Sequence, residues 1–495
     1  MKIRYFFPFI VILLALFSTL NAQTFDGEWI CEYATYDNSA NGTGYNVASV
    51  AVVGENDFVA LITRESNNTC FFIGYTDADS AKGRLWFNGY GSAVASLRQT
   101  WSSGFDVVEM TLAWDAEGTP DGYIYLANND VDRNILVFKK TATDTALEST
   151  EYRMATGGQV NTQKLWGIDV DANGKVYVSS SGVGENGKIL VYEGFANDQN
   201  WSAGTPSTPL QTIVLPDTGQ IRGVTVNKEG TVIYATNFDL DKVYCYTGSP
   251  ESGYTLNQGF NFTLTDRPVA STGTDTLNPG PWGINFMFEK NLLFVNAANS
   301  FRTNIGYEYG RSYILNPNTG AILDTVDMAL WNYNHSTDSS WTDRGDGDVP
   351  GNASMYTSPY NVAFDPQFNM YSVSYYGWTV DKWSYTGELP VVPLTIVSVQ
   401  KQDNVVPQEF SLKQNYPNPF NPATTIEFSI VEDAPVSLSI YTVTGELVTD
   451  IIKSSQMQNG TYKVTFDASR LSSGNYIYKL TNGSHQLSRK MTVIK

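Results

Sequence analysis

Apolar residues fall on alternate positions through most of this chain, in short runs separated by Gly, Asn and Asp. Such alternation marks half-buried β-strands, and no long stretch shows the three-to-four-residue apolar spacing of an amphipathic helix. One pair of runs, WGIDVDANGKVYVSS (166–180), returns as RGVTVNKEGTVIYAT (222–236) and WGINFMFEKNLLFVN (282–296). Looser copies are YNVAFDPQFNMYSVS (360–374), MTLAWDAEGTPDGYIYLAN (110–128) and ASVAVVGENDFVALI (48–62). Aligning Val50, Leu112, Ile168, Val224, Ile284 and Val362 gives spacings of 62, 56, 56, 60 and 78 residues. An aromatic-rich run follows most copies: NILVFKK, KILVYEG, KVYCYTG and DKWSYTG. Each unit therefore predicts strand, tight turn, strand, loop, strand, with room for a fourth, and Asn-Gly or Glu-Gly supplies the turn.

Small antiparallel sheets repeated at this period cannot bury both faces alone, which points to blades packed around an axis. The expected architecture is all-β: a six-bladed β-propeller over 23–392, with five or seven blades as alternatives because the first copy is weak and the 78-residue interval is wide. A solenoid or a row of sandwiches fits the short connections less well. The segment FDGEWICEYATY is a candidate to close the ring on the last blade. The phrases WGI…NGKVYV and GKILVY resemble the NHL and lactonase-like propellers, over about residues 45–390. Asp169, Asp171 and Asn173 before Gly174 invite a calcium-loop reading, but the equivalent positions hold Thr225, Asn227 and Glu229, or Asn285, Met287 and Glu289. The twelfth position is Ser180 where such a loop wants a bidentate Glu, so the segment reads as a turn.

The composition changes after Tyr385. Residues 393–409 read as a Pro- and Val-containing linker with an edge strand, and 410–495 as short alternating strands of a small Ig-like β-sandwich. Within NYPNPFNP, the run Tyr416, Pro417, Asn418, Pro419, Phe420, Asn421 and Pro422 fixes a rigid extended turn. NYPNPFNPATTIEFSI, YTVTGELV, DASRLSSGNYIYKL and the terminal KMTVIK together resemble the C-terminal sorting domain of type IX secretion cargo. The resemblance implies recognition by an outer-membrane translocon, often followed by removal of the domain and attachment to surface lipopolysaccharide. It also implies a Gram-negative bacterium of the Bacteroidota type and a secreted or outer-surface destination. The N-terminus agrees: Lys2 and Arg4, the run FFPFIVILLALF and a cut after Ala22 describe a signal peptide over 1–22. That run is short for a bilayer span and no second one follows, so no transmembrane segment is expected in the mature protein.

Charge and rare residues narrow the chemistry. A formal charge of −19 and a pI near 4.5 argue against nucleic acid as a partner. Three cysteines exclude a complete intramolecular disulfide framework; Cys31 and Cys70 are a candidate pair, and Cys245 reads as a buried thiol. Only His335 and His485 are present, which rules out a two-histidine metal site in the propeller region. His335 stands in WNYNHSTDSSWTDRGDGDVPGN without a nucleophile-elbow pattern. The same segment carries Asp338, Asp343, Asp346 and Asp348; the last three are candidate Ca²⁺ ligands.

Propeller geometry would bring the residues that open the inner strands to one channel mouth. These are Trp166, Arg222, Trp282 and Tyr360, joined by Asn128, Ser180, Asn237, Asn296 and Tyr375 from just past the second strands. Gly167, Gly223 and Gly283 would let the backbones crowd at the axis. Aromatics, an arginine and amides around a concavity suit a glycan, peptide or other small ligand, or the rings serve only as wedges between blades. Lactonase-like propellers hold a divalent metal at that mouth. Asn237 and Asn296 could supply amide ligands, but no Asp or Glu completes the set. The preferred reading is a secreted or surface binding protein. The alternatives are a metal-assisted hydrolase or lactonase, and a structural envelope protein. Convergent buried carboxylates at the mouth would favour hydrolysis.

Overall fold

A computed structural model describes the chain from 25 to 494 except for residues 36–45, 65–68, 77–83, 89–111, 130–133, 141–146, 155–162, 199–200, 202–206, 268–278, 300–308, 336–357, 395–398, 403–406, 469–470 and the single positions 56, 183, 252, 376, 378, 408, 422, 458 and 484. The expected signal peptide at 1–22 and the acidic residues Asp338, Asp343, Asp346 and Asp348 lie outside the described residues.

Alternation becomes antiparallel sheet throughout. Asn46–Val53, Asp57–Arg64, Thr69–Thr76 and Arg84–Asn88 form the first sheet. Ala113–Gly118, Tyr123–Asn128, Ile135–Lys140 and Leu147–Met154 form the second. Gln163–Val170, Val176–Gly182, Asn186–Tyr192 and Gln211–Thr218 form the third. Val224–Val226, Val232–Asn237, Lys242–Ser249 and Gly253–Leu256, with Phe262–Thr263 beside them, form the fourth. Pro279–Met287, Leu292–Asn299, Gly310–Leu315 and Ile322–Asp327 form the fifth. The sixth takes Val362–Phe364, Met370–Ser374 and Thr379–Tyr385 from late in the chain and Trp29–Ala34 from its start. The first strands of these sheets touch in chain order, and the sixth touches the first, so they surround one axis as a β-propeller.

The turns between the first and second strands of each sheet, the A–B turns, follow from local chemistry. The Asp171 carboxylate accepts from the amides of Asn173 and Lys175 at 2.8 and 3.0 Å, and Gly174 adopts φ +80°. Asn227 and Asp365 repeat this side-chain cap in the fourth and sixth sheets. Asp169 is not in that turn. It pairs with Tyr177 inside the strand, so the expected placement is corrected by two residues of register.

A second correction concerns Leu112. In the second, third and fifth sheets the inner strand carries a bulge at Trp114-Asp115, Trp166-Gly167 and Trp282-Gly283. Ala116 pairs after the bulge as Ile168 and Ile284 do, so the repeat of the second sheet is offset by four residues from the alignment on Leu112. The one helix among the described residues, Met328–His335, was not expected; its Trp331 packs edge-on to Trp383 at 5.4 Å. No described helix is long and apolar enough to cross a membrane.

Beyond the propeller, Val399–Gln402, Gly460–Asp467, Ala423–Ile430 and Ser411–Leu412 make one sheet. Leu447–Met457, Ala434–Thr442, Gly474–Asn482 and His485–Val493 make another. Ile426, Phe428 and Val464 of the first pack against Leu438, Ile440 and Leu480 of the second in one core. All three cysteines are buried and free, with no disulfide between Cys31 and Cys70.

Candidate functional site

The residues expected at one mouth do meet. The Arg222 guanidinium lies 3.7 Å from the Trp166 ring and 3.9 Å from the Trp282 ring. Trp282 stacks on Tyr360 at 3.7 Å, and Tyr360 on Tyr375 at 4.2 Å. Five planar groups from four sheets thus form one continuous stack. Inside its curve sits Trp114, 5.5 Å from Trp166, 5.9 Å from Trp282 and 6.2 Å from Tyr375. Sequence reasoning missed Trp114 because the bulge displaced its repeat. The WDAEG run was the available signal. Arg222 keeps partial exposure while the rings around it are buried. The indole N–H groups of Trp114 and Trp166 are buried and find no acceptor among the described residues.

Backbones crowd behind the stack because glycine occupies the bulge. A Cβ on Gly167 would stand 2.7 Å from the Val224 nitrogen, and one on Gly283 would stand 2.2 Å from the Tyr360 carbonyl oxygen. Hydroxyls satisfy the displaced amides. Gly167 N–H donates to Ser179 Oγ, which donates onward to the Ile221 carbonyl; Gly223, Thr236 and Trp282 repeat the arrangement one sheet later.

Side-chain staples link inner strands of neighbouring sheets. Asp115 accepts from Ser49 Oγ and Ala116 N–H on Oδ1, at 2.8 and 3.0 Å, and from Ile168 N–H on Oδ2 at 3.0 Å. Asn361, from the sixth sheet, also donates to its Oδ1. Asp169 accepts from Val170 N–H on one oxygen, and from Thr225 Oγ1 and Val226 N–H on the other. Burial pushes Asp115 up to about 7 and Asp169 up to about 6, against the pull of those donors. The expectation was that no Asp or Glu completes a metal set with Asn237 and Asn296; Asp115 and Asp169 do stand on inner strands. Their oxygens are nonetheless engaged as strand-to-strand links.

The asparagines do not join the stack. Asn237 is buried, its amide donating to the Thr218 carbonyl and its oxygen accepting from Leu240 N–H. Asn296 donates to Asn285 Oδ1 and accepts from Ser312 Oγ. Asn128 is fully buried in its own sheet, and Ser180 is buried opposite Leu165. His335 is exposed at the helix end, stacked on Trp331 at 3.9 Å with Nδ1 against the Trp331 carbonyl. Among the described residues no three His, Cys, Asp or Glu side chains stand together as metal ligands.

The other end of the inner strands is open. Turns from four successive sheets enclose a cavity of about 510 Å³, within the range of small-molecule sites. Its aromatic wall is Tyr123, Tyr125, Phe195 and Phe288; Phe195 lies 5.2 Å from Tyr123 and 6.2 Å from Tyr125. Glu117, Asp121, Asp171 and Glu289 also line it, against Lys228. Burial, then the charges of Asp169 and Asp115, hold Glu117 well above the usual carboxylate range. No local sequence pattern announces this cavity, since each turn contributes only a few residues.

In the tail, the NYPNPFN loop is tied to the last strand. Phe420 is buried and exchanges backbone hydrogen bonds with Thr492 and Ile494, while Asn418 Oδ1 accepts from Thr492 N–H at 2.8 Å. Asn415 donates to Thr424 Oγ1 and the Pro417 carbonyl, holding the loop across its base. Tyr416 is 82% exposed, and Pro417 and Pro419 follow cis peptide bonds. Pro422 lies outside the described residues.

Residues 414–495 match the family described as the secretion system C-terminal sorting domain. No curated protein matches the chain. Among solved structures, the chain is similar to the β-propeller domain of Cps50 (Swd1) from Myceliophteria thermophila, at 10% identity, 68% of this chain, 83% of that one and a TM-score of 0.35. It is also similar to a putative 6-phosphogluconolactonase from Bacteroides fragilis, at 10% identity, 66% of this chain, 76% of that one and a TM-score of 0.36. An auxiliary nutrient binding protein from Bacteroides thetaiotaomicron shares 12% identity over 73% of this chain and 70% of that one, with a TM-score of 0.37. Likeness at these scores carries no function across. The sorting domain implies export by the type IX route to the cell surface or beyond.

Proposed function

We propose that this exported protein is a six-bladed propeller over residues 23–392 that binds a small ligand outside the cell, joined through 393–409 to its sorting domain at 410–495. The cavity between the A–B turns carries this reading: it has the volume of a ligand site, an aromatic wall and a few polar groups. The hydrolase alternative has less support. Asp115 and Asp169 are buried carboxylates of the inner strands, and their oxygens are taken up by amide and hydroxyl donors of adjacent strands. A general acid or base needs a free oxygen facing substrate, which neither of these two provides.

One observation favours a second binding site at the Arg222 end. The partly exposed Arg222 side chain and the two indole N–H groups without described acceptors would suit an acceptor-rich ligand. Binding of glycan, peptide and small-metabolite panels to the mature chain tests both. Phe195→Ala is expected to weaken a cavity ligand about ten-fold or more, as loss of a buried aromatic anchor does. Arg222→Met is expected to leave that ligand unaffected. Turnover of any panel member by the protein would overturn the binding reading.

A further inference from the structure

We propose that the cavity at the turn end takes an organic cation, an alkylammonium or guanidinium group carried on an apolar chain. The inference rests on the cavity being a ligand site and names what that ligand must look like. Its lining carries four carboxylates and one ammonium. Two of the four serve the protein itself: Asp171 caps its turn, and Asp121 accepts from Thr119 Oγ1 at 2.6 Å. Glu117 and Glu289 have no ion-pair partner among the described residues. Glu117 is the telling one. It is partly covered at the end of an inner strand, lines the cavity, and is pressed by the charges of Asp169 and Asp115 behind it. A cation placed before it would offset both the burial and the repulsion.

The walls say which kind of cation. The acids are not gathered into a ligand set for a metal ion. What surrounds them is aromatic, and ring faces attract ammonium and guanidinium groups while accommodating an alkyl chain. The protein already uses one of these rings so: Lys139 Nζ stands 3.9 Å over Tyr123. An acidic floor with Phe195, Tyr125 and Phe288 beside it therefore fits a cationic head and an apolar body together.

Calorimetry of the mature chain at low salt, with agmatine and cadaverine as free amines and a short lysine-rich peptide as the carried form, tests this. Binding of at least one arm is expected, weakened about ten-fold or more in Glu117→Gln and several-fold in Glu289→Gln, with 1-pentanol not binding. Glu117→Gln removes a charge that burial disfavours, so its melting temperature is expected to stay level or rise, which separates lost affinity from lost fold. If a neutral oligosaccharide binds, depends on Phe195 and ignores Glu117→Gln, the cationic proposal falls and the ligand site stands. If Ca²⁺ displaces agmatine at equal concentration, the organic-cation assignment is wrong. If no probe of any charge binds, both readings fail.

Discussion

Asp381 shows how much a single buried acid can govern here. It is fully buried, accepts from Thr379 Oγ1 at 2.9 Å on one oxygen, and has no partner for the other among the described residues. Burial pushes it from the ordinary 3.8 up to about 7. Between those values the folded chain holds a proton that the unfolded chain has lost, so stability falls as pH rises from about 4 to about 7. Asp115 and Asp169 act in the same direction. Thermal melts from pH 4 to 8 are therefore expected to decline with pH. Asp381→Asn should flatten part of that decline and gain on the order of 2–4 kcal/mol at pH 8. A wild-type midpoint that climbs across this range would refute the account. The Asp and Asn residues of the turns could be read from sequence because their partners lie two to four residues away. Asp169 misled because its partners lie in the next sheet, at Thr225 and Val226.

At the scale of the element, alternation is a local signal, and it located the strands of the recurring unit and their turn. A bulge is where such a signal slips. At Trp114-Asp115 it moved the repeat by four residues and hid a ring that belongs with Trp166 and Trp282. Gly283 and Gly174 separate two uses of glycine. Ala at 283 would drive a Cβ to 2.2 Å from a backbone oxygen of the next sheet, while Ala at 174 meets open space but must hold φ +80°. Gly283→Ala is expected to cost at least about 3 kcal/mol, and Gly174→Ala about 1 kcal/mol. Denaturant titration of both variants ranks them, and equal costs would show that the inner strands do not touch as described. The cavity was illegible for a related reason, since turns from four sheets make it and no one of them carries its shape.

Across the whole molecule, the propeller and the tail are two parts with separate cores. The tail has its own core, and its NYPNPFN loop is clamped to the last strand rather than to the propeller. Truncation after residue 413 is expected to stop surface delivery while leaving the propeller region folded, as judged by cell fractionation and the melt of the retained protein. Delivery of the truncated chain at the normal level would contradict the role of the sorting domain. The tail was the most legible region because its motifs are quotable phrases in fixed order. The ring was legible in outline, through its period.

The strand Trp29–Ala34 lies beside Thr379–Tyr385, and just before it the Gly27 and Glu28 amides donate to the Tyr385 and Thr386 hydroxyls, 358 residues on. A clasp that joins the beginning of a polypeptide to its far side cannot fasten until nearly everything between has emerged. The five sheets built from consecutive strands can form as they emerge, but the sixth, and with it the ring, would close last, after the chain had been delivered.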